Sequence, residues 1–385
     1  MDIQDFIEAH PERIETPSFV VDETLIERNL QILDSVQERT GAKIMLALKG
    51  FAMFHIFPQI RRILKGVCAS SPHEARLGRE EFGREVHACA AAFSESDMRE
   101  LIPLCDHITF NSFSQYTRFK PLITGSGRPI RLGIRVNPEH SETETPIYDP
   151  CVQGSRLGVT IDQFDDSDLE GISGLLFHTL CEKNADSLER TLEAVLQKFG
   201  PYLNRMEWIN FGGGHHITRS DYDVERLCRI ITGFKEAHGL EVYLEPGEAV
   251  ALNAGFLVAS VLDVIHNQID IAILDASAST HMPDVIEMPY RPHIINAGKP
   301  REKPFTYRLG GPSCLAGDII GDYSFDHPLT PGETLIFTDM AHYSMVKTNT
   351  FNGIKLPSIA VFNSLTDDLT IIRRFGYADY RSRLS

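Results

Sequence analysis

The sequence lacks several features that mark common protein classes. Its seven cysteines are scattered, odd in number and without a C-x-x-C pair, which argues against a disulfide scaffold and a finger-type zinc module. No apolar run approaches the roughly 20 residues that a membrane-spanning helix needs. Basic residues are also scarce: 37 Lys and Arg face 53 Asp and Glu, for a formal net charge of −16. That balance makes nucleic acid and anionic membranes poor candidates for partners.

What remains is the composition of an ordinary globular protein. The chain has 385 residues, 42% of them hydrophobic, which is enough for a large core and two domains. Its first residues, MDIQDFIEAHPERIE, are acidic and do not resemble a signal peptide, so we expect a cytoplasmic protein. An acidic protein would suit a cationic substrate, although solubility explains the same charge equally well.

Between residues 29 and 254, apolar runs of strand length alternate with amphipathic stretches of helical period, such as Ser187–Phe199 and Tyr222–His238. Eight alternations predict an α/β fold with a closed parallel (β/α)8 TIM-like barrel rather than an open sheet. The eight runs are Ile44–Leu48, Gly66–Ser70, Glu85–Ala91, His107–Asn111, Ile130–Val136, Gly174–His178, Trp208–Phe211 and Glu241–Glu245.

After residue 255 the pattern changes to short β-like runs broken by Gly, Pro and Asn, which predict a C-terminal antiparallel β domain of barrel or sandwich type. The apolar stretch Pro17–Asp22 precedes the barrel and predicts one more strand. We therefore assign residues 1–28 and 255–385 to the β domain. Its other predicted strands are Phe256–His266, Ile269–Asp275, Phe305–Leu309, Glu333–Thr338 and Ile359–Phe362.

Polar residues follow the predicted barrel strands at the end where barrel enzymes carry out their chemistry. Each has an ordinary explanation, such as a solvated lysine, an ion pair within the barrel, a satisfied core histidine or a tight glycine turn. Together they match one cofactor, pyridoxal 5'-phosphate, which needs an amine nucleophile, amides around its phosphate, a ring-stacking group and a carboxylate at its pyridine nitrogen. The residues are Lys49, Arg135, His178, Gly212, Gly213, Gly214 and Glu245.

These motifs, in their order and spacing, resemble the fold-type III pyridoxal-phosphate decarboxylases, the alanine-racemase-like family that includes the diaminopimelate and ornithine enzymes. The resemblance covers nearly the whole chain. It is carried by Thr16–Asp22, Leu46–Lys49, His178, Phe211–Gly214, Glu245–Gly247, Gly311–Cys314, Gly317–Asp318 and Asp339–Tyr343.

The resemblance implies a role for each residue. Lys49 would be the Schiff-base lysine and Glu245 the partner of the pyridine nitrogen. Cys314 would act from the neighbouring subunit, so the active unit would be a homodimer with shared sites; a buried thiol is the alternative for this cysteine. No metal is expected. The remaining cofactor contacts would be His178 on the ring, Arg135 in support, and Gly212, Gly213, Gly214 and Tyr343 at the phosphate.

Two positions depart from the diaminopimelate and ornithine enzymes. Glu248 replaces an arginine and offers an anion to a cationic amine, and Leu315 replaces the acidic residue that anchors a terminal amine after the cysteine. Within the family this combination resembles the decarboxylases of carboxylated polyamines, so a small cationic carboxy-polyamine is the expected substrate. The expected substrate contacts are Glu248, His281, Asp284 and Asp318, although any of these acids could be an ordinary surface acid.

Other functions stay open at this point. The chain could decarboxylate diaminopimelate, ornithine or arginine, or racemise an amino acid. It could also be a non-catalytic carrier or a regulatory homologue that binds the cofactor. Carriers of this fold generally lack the β domain and regulatory relatives tend to lose catalytic residues, whereas Lys49, Glu245 and Cys314 are all present.

Overall fold

The computed structural model describes residues 1–385 and divides them into two compact units. One unit comprises residues 29–250, and the other comprises residues 1–28 together with 251–385. None of the helices is both long and apolar enough to cross a membrane.

In the unit of residues 29–250, eight parallel strands close into a barrel, which confirms the predicted fold class. Strand eight pairs with strand one through Lys43 opposite Tyr243 and Ile44 opposite Leu244, so the sheet has no free edge. In chain order, barrel strands one to eight are Lys43–Ala47, Gly66–Ala69, Glu85–Cys89, His107–Phe110, Arg131–Arg135, Ile172–Leu176, Trp208–Asn210 and Glu241–Leu244.

Trp208 is buried in the barrel. Gly133 and Gly174 leave room for its indole, since a Cβ on Gly174 would lie 2.0 Å from the ring. The ring packs with the buried side chains of Met45 and Tyr243. A single large side chain opposite two glycines thus forms part of the packed layer that a closed barrel needs.

Helices alternate with the barrel strands. The two that the sequence indicated most clearly are Ala185–Phe199 and Val224–His238, each beginning two residues from its predicted start because the side chains of Asn184 and Asp223 cap first-turn amides. The other helices of residues 23–251 are Glu23–Thr40, Phe57–Ile60, Pro72–Leu77, Glu95–Leu101, Phe113–Gly125 and Glu248–Ala251, with short 3-10 or π turns at Phe54–Ile56, Gly78–Phe82, Pro146–Tyr148, Ile161–Gln163, Asp166–Asp168 and Gly200–Arg205.

The unit of residues 1–28 and 251–385 is built on an eight-stranded sheet. Most pairings are antiparallel, as predicted, but Ser18–Asp22 pairs in parallel with Ser358–Asn363 and Ile269–Leu274 with Phe305–Gly310. The remaining strands are Gly255–Asn267, Ile319–Phe325, Thr334–Thr338 and Asp368–Arg373, and the helices and 3-10 turns are Ile3–Ala9, Pro11–Arg13, Asp284–Glu287, Phe351–Gly353 and Tyr377–Arg381.

Both faces of this sheet bury apolar side chains. Phe19 and Leu257 belong to one core cluster, whereas their chain neighbours Val20 and Phe256 belong to another. This period of two follows from the alternation of side chains along a strand. The predictions missed Ile319–Phe325 and Asp368–Arg373, because polar residues interrupt both apolar runs.

Candidate active site

Lys49 lies in the turn that follows barrel strand one, and this turn touches the Glu-Pro-Gly turn that follows strand eight. A Cβ on Gly50 would lie 3.0 Å from the Cα of Gly247, and a Cβ on Gly247 would lie 3.0 Å from the carbonyl oxygen of Ala47. A side chain at either position would require the neighbouring backbone to shift by a few tenths of an ångström. This contact brings Lys49 and Glu245 to the same mouth of the barrel.

The ammonium of Lys49 is crowded by protein, although its side chain stays accessible to solvent through the mouth. Loss of hydration lowers the pKa of Lys49, and the positive charge of Arg135 lowers it further, while Glu245 acts in the opposite direction. A lowered pKa increases the fraction of uncharged amine near neutral pH, which is the nucleophilic form.

His178 lies beside this amine, with its Nε2 atom 3.4 Å from Nζ of Lys49. Its Nδ1 atom accepts a 2.7 Å hydrogen bond from the backbone N–H of Gly213. Burial, followed by the charges of Lys49 and Arg135, holds the pKa of His178 well below its usual value, so the ring is neutral. Because Nδ1 accepts, the ring proton belongs on Nε2, facing Lys49. Arg135 donates to the carbonyl of His178 at 3.3 Å.

Glu245 is held by Asn210, a residue that the sequence analysis missed. Nδ2 of Asn210 donates to Oε1 of Glu245 at 2.5 Å, and Oδ1 of Asn210 accepts the N–H of Gly212 at 2.8 Å. Asn210 is buried at the end of strand seven. One amide side chain therefore fixes both the carboxylate and the start of the glycine turn. The available signal was a polar residue ending the apolar run Trp208-Ile209 immediately before that turn.

The triple glycine is required by close backbone contacts. A Cβ on Gly213 would lie 2.5 Å from the carbonyl oxygen of Glu245, and one on Gly214 would lie 2.0 Å from that of Leu180. The amides of Gly212 and Gly213 donate to Asn210 and His178, respectively. The Gly214 amide makes no hydrogen bond within the chain, so it alone is available to an anion without rearrangement.

Glu248 begins the short helix after the Glu-Pro-Gly turn, and 17% of its side chain is exposed. Its Oε2 atom lies 2.9 Å from Nε2 of the buried His216, a contact with the distance of an ion pair but without hydrogen-bond geometry. Three thiols are near the same mouth, since the charge of Lys49 acts on Cys68, Cys89 and Cys181. Burial raises the pKa of Cys89 and Cys181 to about 11 and that of Cys68 well above its usual value, so all three stay protonated at neutral pH.

The other predicted residues lie in the sheet unit, where Cys314 and Leu315 are exposed neighbours. The backbone N–H of Cys314 donates to Oδ1 of Asn352 at 2.8 Å. Tyr343 is partly buried, with a positive φ of 42°. The thiol of Cys314 is thus free for chemistry at the surface of its unit.

The three predicted substrate contacts in this unit already have partners. Asp318 is buried and accepts bonds from the hydroxyl of Ser277 at 2.8 Å and from two backbone amides at 3.2 Å. His281 is fully buried, and its nitrogens bond the Ser277 N–H and the Lys355 carbonyl at 3.2 and 3.0 Å. Asp284 forms an ion pair with Lys347. The role of these residues as substrate contacts stays a prediction.

Comparison with known proteins relates the whole chain to one group. The family profile described as "Pyridoxal-dependent decarboxylase, C-terminal sheet domain" matches residues 18–341. The chain is 46% identical to carboxyaminopropylagmatine decarboxylase of Synechocystis sp., over 96% of this chain and 95% of that protein. It is 42% identical to carboxynorspermidine/carboxyspermidine decarboxylase of Campylobacter jejuni, over 97% and 99%.

Solved structures show the same fold. The crystal structure of carboxynorspermidine decarboxylase from Campylobacter jejuni, complexed with norspermidine, superposes with a TM-score of 0.89 at 41% identity, covering 96% of this chain and 100% of that chain. Diaminopimelate decarboxylase from Helicobacter pylori, complexed with L-lysine, superposes with a TM-score of 0.83 over 98% of each chain. At 16% identity the second comparison supports the fold alone.

Proposed function

The chain belongs to the family of pyridoxal-dependent decarboxylases, and on that premise we propose that it removes the carboxyl group of carboxynorspermidine or carboxyspermidine, releasing norspermidine or spermidine. The burial and position of Glu248 are the observation that supports this choice of substrate. Its carboxylate is largely buried, with 17% of the side chain exposed, and its backbone nitrogen lies 3.3 Å from the Cβ position of Gly50, next to Lys49. A polyamine tail is cationic at neutral pH, and a carboxylate at this position could accept a charge-assisted hydrogen bond from it.

The residues of the barrel mouth fit pyridoxal 5'-phosphate. When bound, this cofactor supplies an electron sink for the pair of electrons released as the Cα–carboxylate bond breaks. Lys49, with its lowered pKa, is the amine that would attach it, and the free Gly214 amide is a donor for its phosphate. Gly213 lies between the Glu245 carbonyl and the His178 ring, where a Cβ would come within 2.5 and 3.1 Å of them, so its lack of a side chain lets these two residues lie close together.

Proton control is the second task of these side chains. Glu245, held by Asn210 at 2.5 Å, would keep a proton on the pyridine nitrogen. The neutral His178, oriented by the Gly213 amide, would lie against the ring without adding charge. Tyr343 is proposed as a further donor to the phosphate, Arg135 as support for the cofactor, and Cys314 as the group that delivers a proton to Cα.

We also propose that Cys314 acts across a homodimer. The sheet unit exposes large apolar side chains at Leu262, Ile265 and Ile269, around the hairpin between two strands, and at Leu315 beside Cys314. Apolar patches of this kind are typical of protein interfaces. The free thiols of all seven cysteines suit a reducing compartment, which supports the cytoplasm.

One other substrate is favoured by a specific observation. The 46% identical relative is named for carboxyaminopropylagmatine, whose agmatine portion ends in a guanidinium group. A guanidinium group binds a carboxylate through two parallel hydrogen bonds, so Glu248 is compatible with this tail as well. The two proposals share the reaction and the cofactor and differ in the cation at the end of the tail.

Steady-state assays of the purified protein on several substrates test the proposal. We expect the highest kcat/KM with carboxynorspermidine or carboxyspermidine, and the lowest with diaminopimelate and ornithine. A higher kcat/KM with carboxyaminopropylagmatine would replace the first proposal by the second. Preference for diaminopimelate or ornithine, or no carbon dioxide release from any substrate, would refute both.

Glu248→Gln tests the role of the carboxylate. We expect kcat/KM for the preferred substrate to fall about tenfold or more, because a charge-assisted bond contributes roughly 1.5–3 kcal/mol. The absorbance of the bound cofactor should not change. Glu144→Gln is the control, since its side chain is 91% exposed. An equal loss in both variants would show that Glu248 has no specific role in the tail site.

A further inference from the structure

A second cluster of polar side chains lies inside the barrel at the opposite end from Lys49. Glu85 begins strand three, and His87 stands two residues later, so both side chains point to the same face of the sheet. His107 begins strand four and is the register partner of His87. Two residues on one strand and a third beside them on the next strand place three side chains against one another.

The distances within this Glu85–His87–His107 cluster are short. One nitrogen from each imidazole and one carboxylate oxygen all lie within 4.8 Å of one another. The two rings stack at 3.8 Å with an angle of 11° between their planes, and Nε2 of His87 lies 3.1 Å from Oε2 of Glu85. The two imidazole rings therefore lie face to face, with their edges next to each other.

Burial adds a second observation. His87 and His107 are 5% and 3% exposed, and the buried Nδ1 atom of His107 has no hydrogen-bond partner. A buried polar atom without a partner destabilises the folded chain. The stacked arrangement gives no donor or acceptor to this nitrogen, so it is left for a ligand from outside the chain.

We propose that Glu85, His87 and His107 form a binding site for Zn²⁺. Two imidazoles and one carboxylate are a ligand set that zinc accepts in proteins, with water completing the coordination. Bonds of about 2.1 Å at tetrahedral angles separate ligand atoms by roughly 3.4 Å. The present separations of up to 4.8 Å would close to that value through side-chain rotations of the stacked pair.

The charges around the cluster permit a cation. Glu85, Glu207 and Glu241 outnumber the cationic partners Lys43 and Arg131 by one. Nζ of Lys43 lies 3.6 Å from Glu85 but 3.2 Å from Glu241 and 3.0 Å from the hydroxyl of Tyr243. Lys43 therefore keeps its closer partners when Glu85 turns towards a metal ion.

The position of the site indicates its role. It lies at the N-terminal ends of the strands, the end of a barrel that contributes to stability, whereas Lys49 lies at the catalytic end. A zinc ion there would join strands three and four. It would stabilise the folded chain by mass action and leave the decarboxylation unaffected.

Isothermal titration of chelator-treated, cofactor-loaded protein with Zn²⁺ tests the proposal. We expect one site per chain and a rise in Tm on binding. His107→Gln and Glu85→Gln should each weaken that site about 100-fold or more, since loss of even an outer partner costs 10- to 100-fold in affinity. The control is His266→Gln, whose side chain is 69% exposed in the sheet unit. Unchanged binding in both cluster variants, or no binding by the native chain, would overturn the proposal.

Co²⁺ gives a readout that does not depend on variants. A cobalt ion held by imidazole and carboxylate shows visible d–d bands without the intense near-ultraviolet thiolate band. A strong thiolate band would assign the binding to cysteines such as Cys68 or Cys89 and refute the site.

Discussion

The two ends of the barrel differ in how their basic side chains are paired. At the N-terminal end, Lys43 and Arg131 form ion pairs of 2.6–3.6 Å with Glu85, Glu207 and Glu241. At the C-terminal end, the nitrogen of Lys49 lies beside a neutral imidazole and near a second cation, Arg135, and its pKa falls. Strand one begins with a lysine of the first kind, Lys43, and is followed by one of the second kind, Lys49. The paired charges of Lys43 and Arg131 stabilise the fold. The amine of Lys49 lies in a crowded mouth beside a second cation, and this lowers its pKa and makes it more reactive.

The largest effect in this comparison is expected at the two lysines near the ends of strand one. Lys49→Ala should abolish decarboxylation and remove the visible absorbance of the covalently attached cofactor, because it deletes the amine that lies beside His178 in the barrel mouth. Lys43→Ala, the matched control, should keep both while losing stability. Steady-state assay and absorbance spectra of the two variants check this. A yellow, active Lys49→Ala protein would contradict the assignment.

Strand seven offers the next comparison, because Asn210 ends it and Glu207 precedes it. Asn210→Leu removes the bond that holds Glu245, so we expect kcat and cofactor affinity to fall about 10- to 100-fold. Glu207→Gln loses only an exposed pair with Arg131, which is worth at most about 1 kcal/mol, and should keep full activity. Titration of the apoprotein with cofactor separates binding from turnover. Equal cofactor affinity in native protein and Asn210→Leu would show that Glu245 does not need this support.

Breaking the ion pairs of Arg131 at the N-terminal end of the barrel should lower stability and leave activity unchanged. Arg131→Met leaves the carboxylates of Glu241 and Glu207 without their closest partner, and we expect a loss of about 1–2 kcal/mol in the free energy of unfolding. Urea unfolding measures the loss, and kcat at a permissive temperature should be unchanged. A fall in kcat without loss of stability would mean that the two ends are not independent.

The smallest effect is a change in pH dependence at the catalytic end. Burial lowers the pKa of Lys49 first and Arg135 second, so Arg135→Met should raise that pKa and move the formation of uncharged amine to higher pH. The rate at which the apoprotein attaches cofactor, measured against pH, should have a higher midpoint in this variant. Arg118→Met, at an exposed position of a barrel helix, is the control. An unchanged midpoint would show that Arg135 does not lower the pKa of Lys49.

Much of this arrangement was predictable from local pattern. The eight apolar runs matched the eight barrel strands because strands covered on both faces are nearly continuously hydrophobic. Lys49, His178 and Glu245 could be expected near one another because parallel strands of a barrel end at the same mouth. The substitution of Glu248 for an arginine was likewise visible in the chain itself.

Hydrogen-bond partners could not be predicted in this way. The amides of Gly212 and Gly213 were expected to face an anion, but they donate to Asn210 and His178. His281 was expected near a substrate, and it is fully buried with both nitrogens bonded within its unit. Such choices depend on distances between segments far apart in the chain, which no local pattern contains.

Hydrophobic period and strand ends are local properties, so the chain alone was enough to predict the barrel, the sheet domain, the cofactor family and a candidate lysine for binding the cofactor. The hydrogen bond from Asn210 to Glu245, and the contact of Glu85 and His87 with His107, became visible in the folded chain. These contacts arise from strand register and closure of the barrel, which set distances of a few ångströms between residues that are remote in sequence.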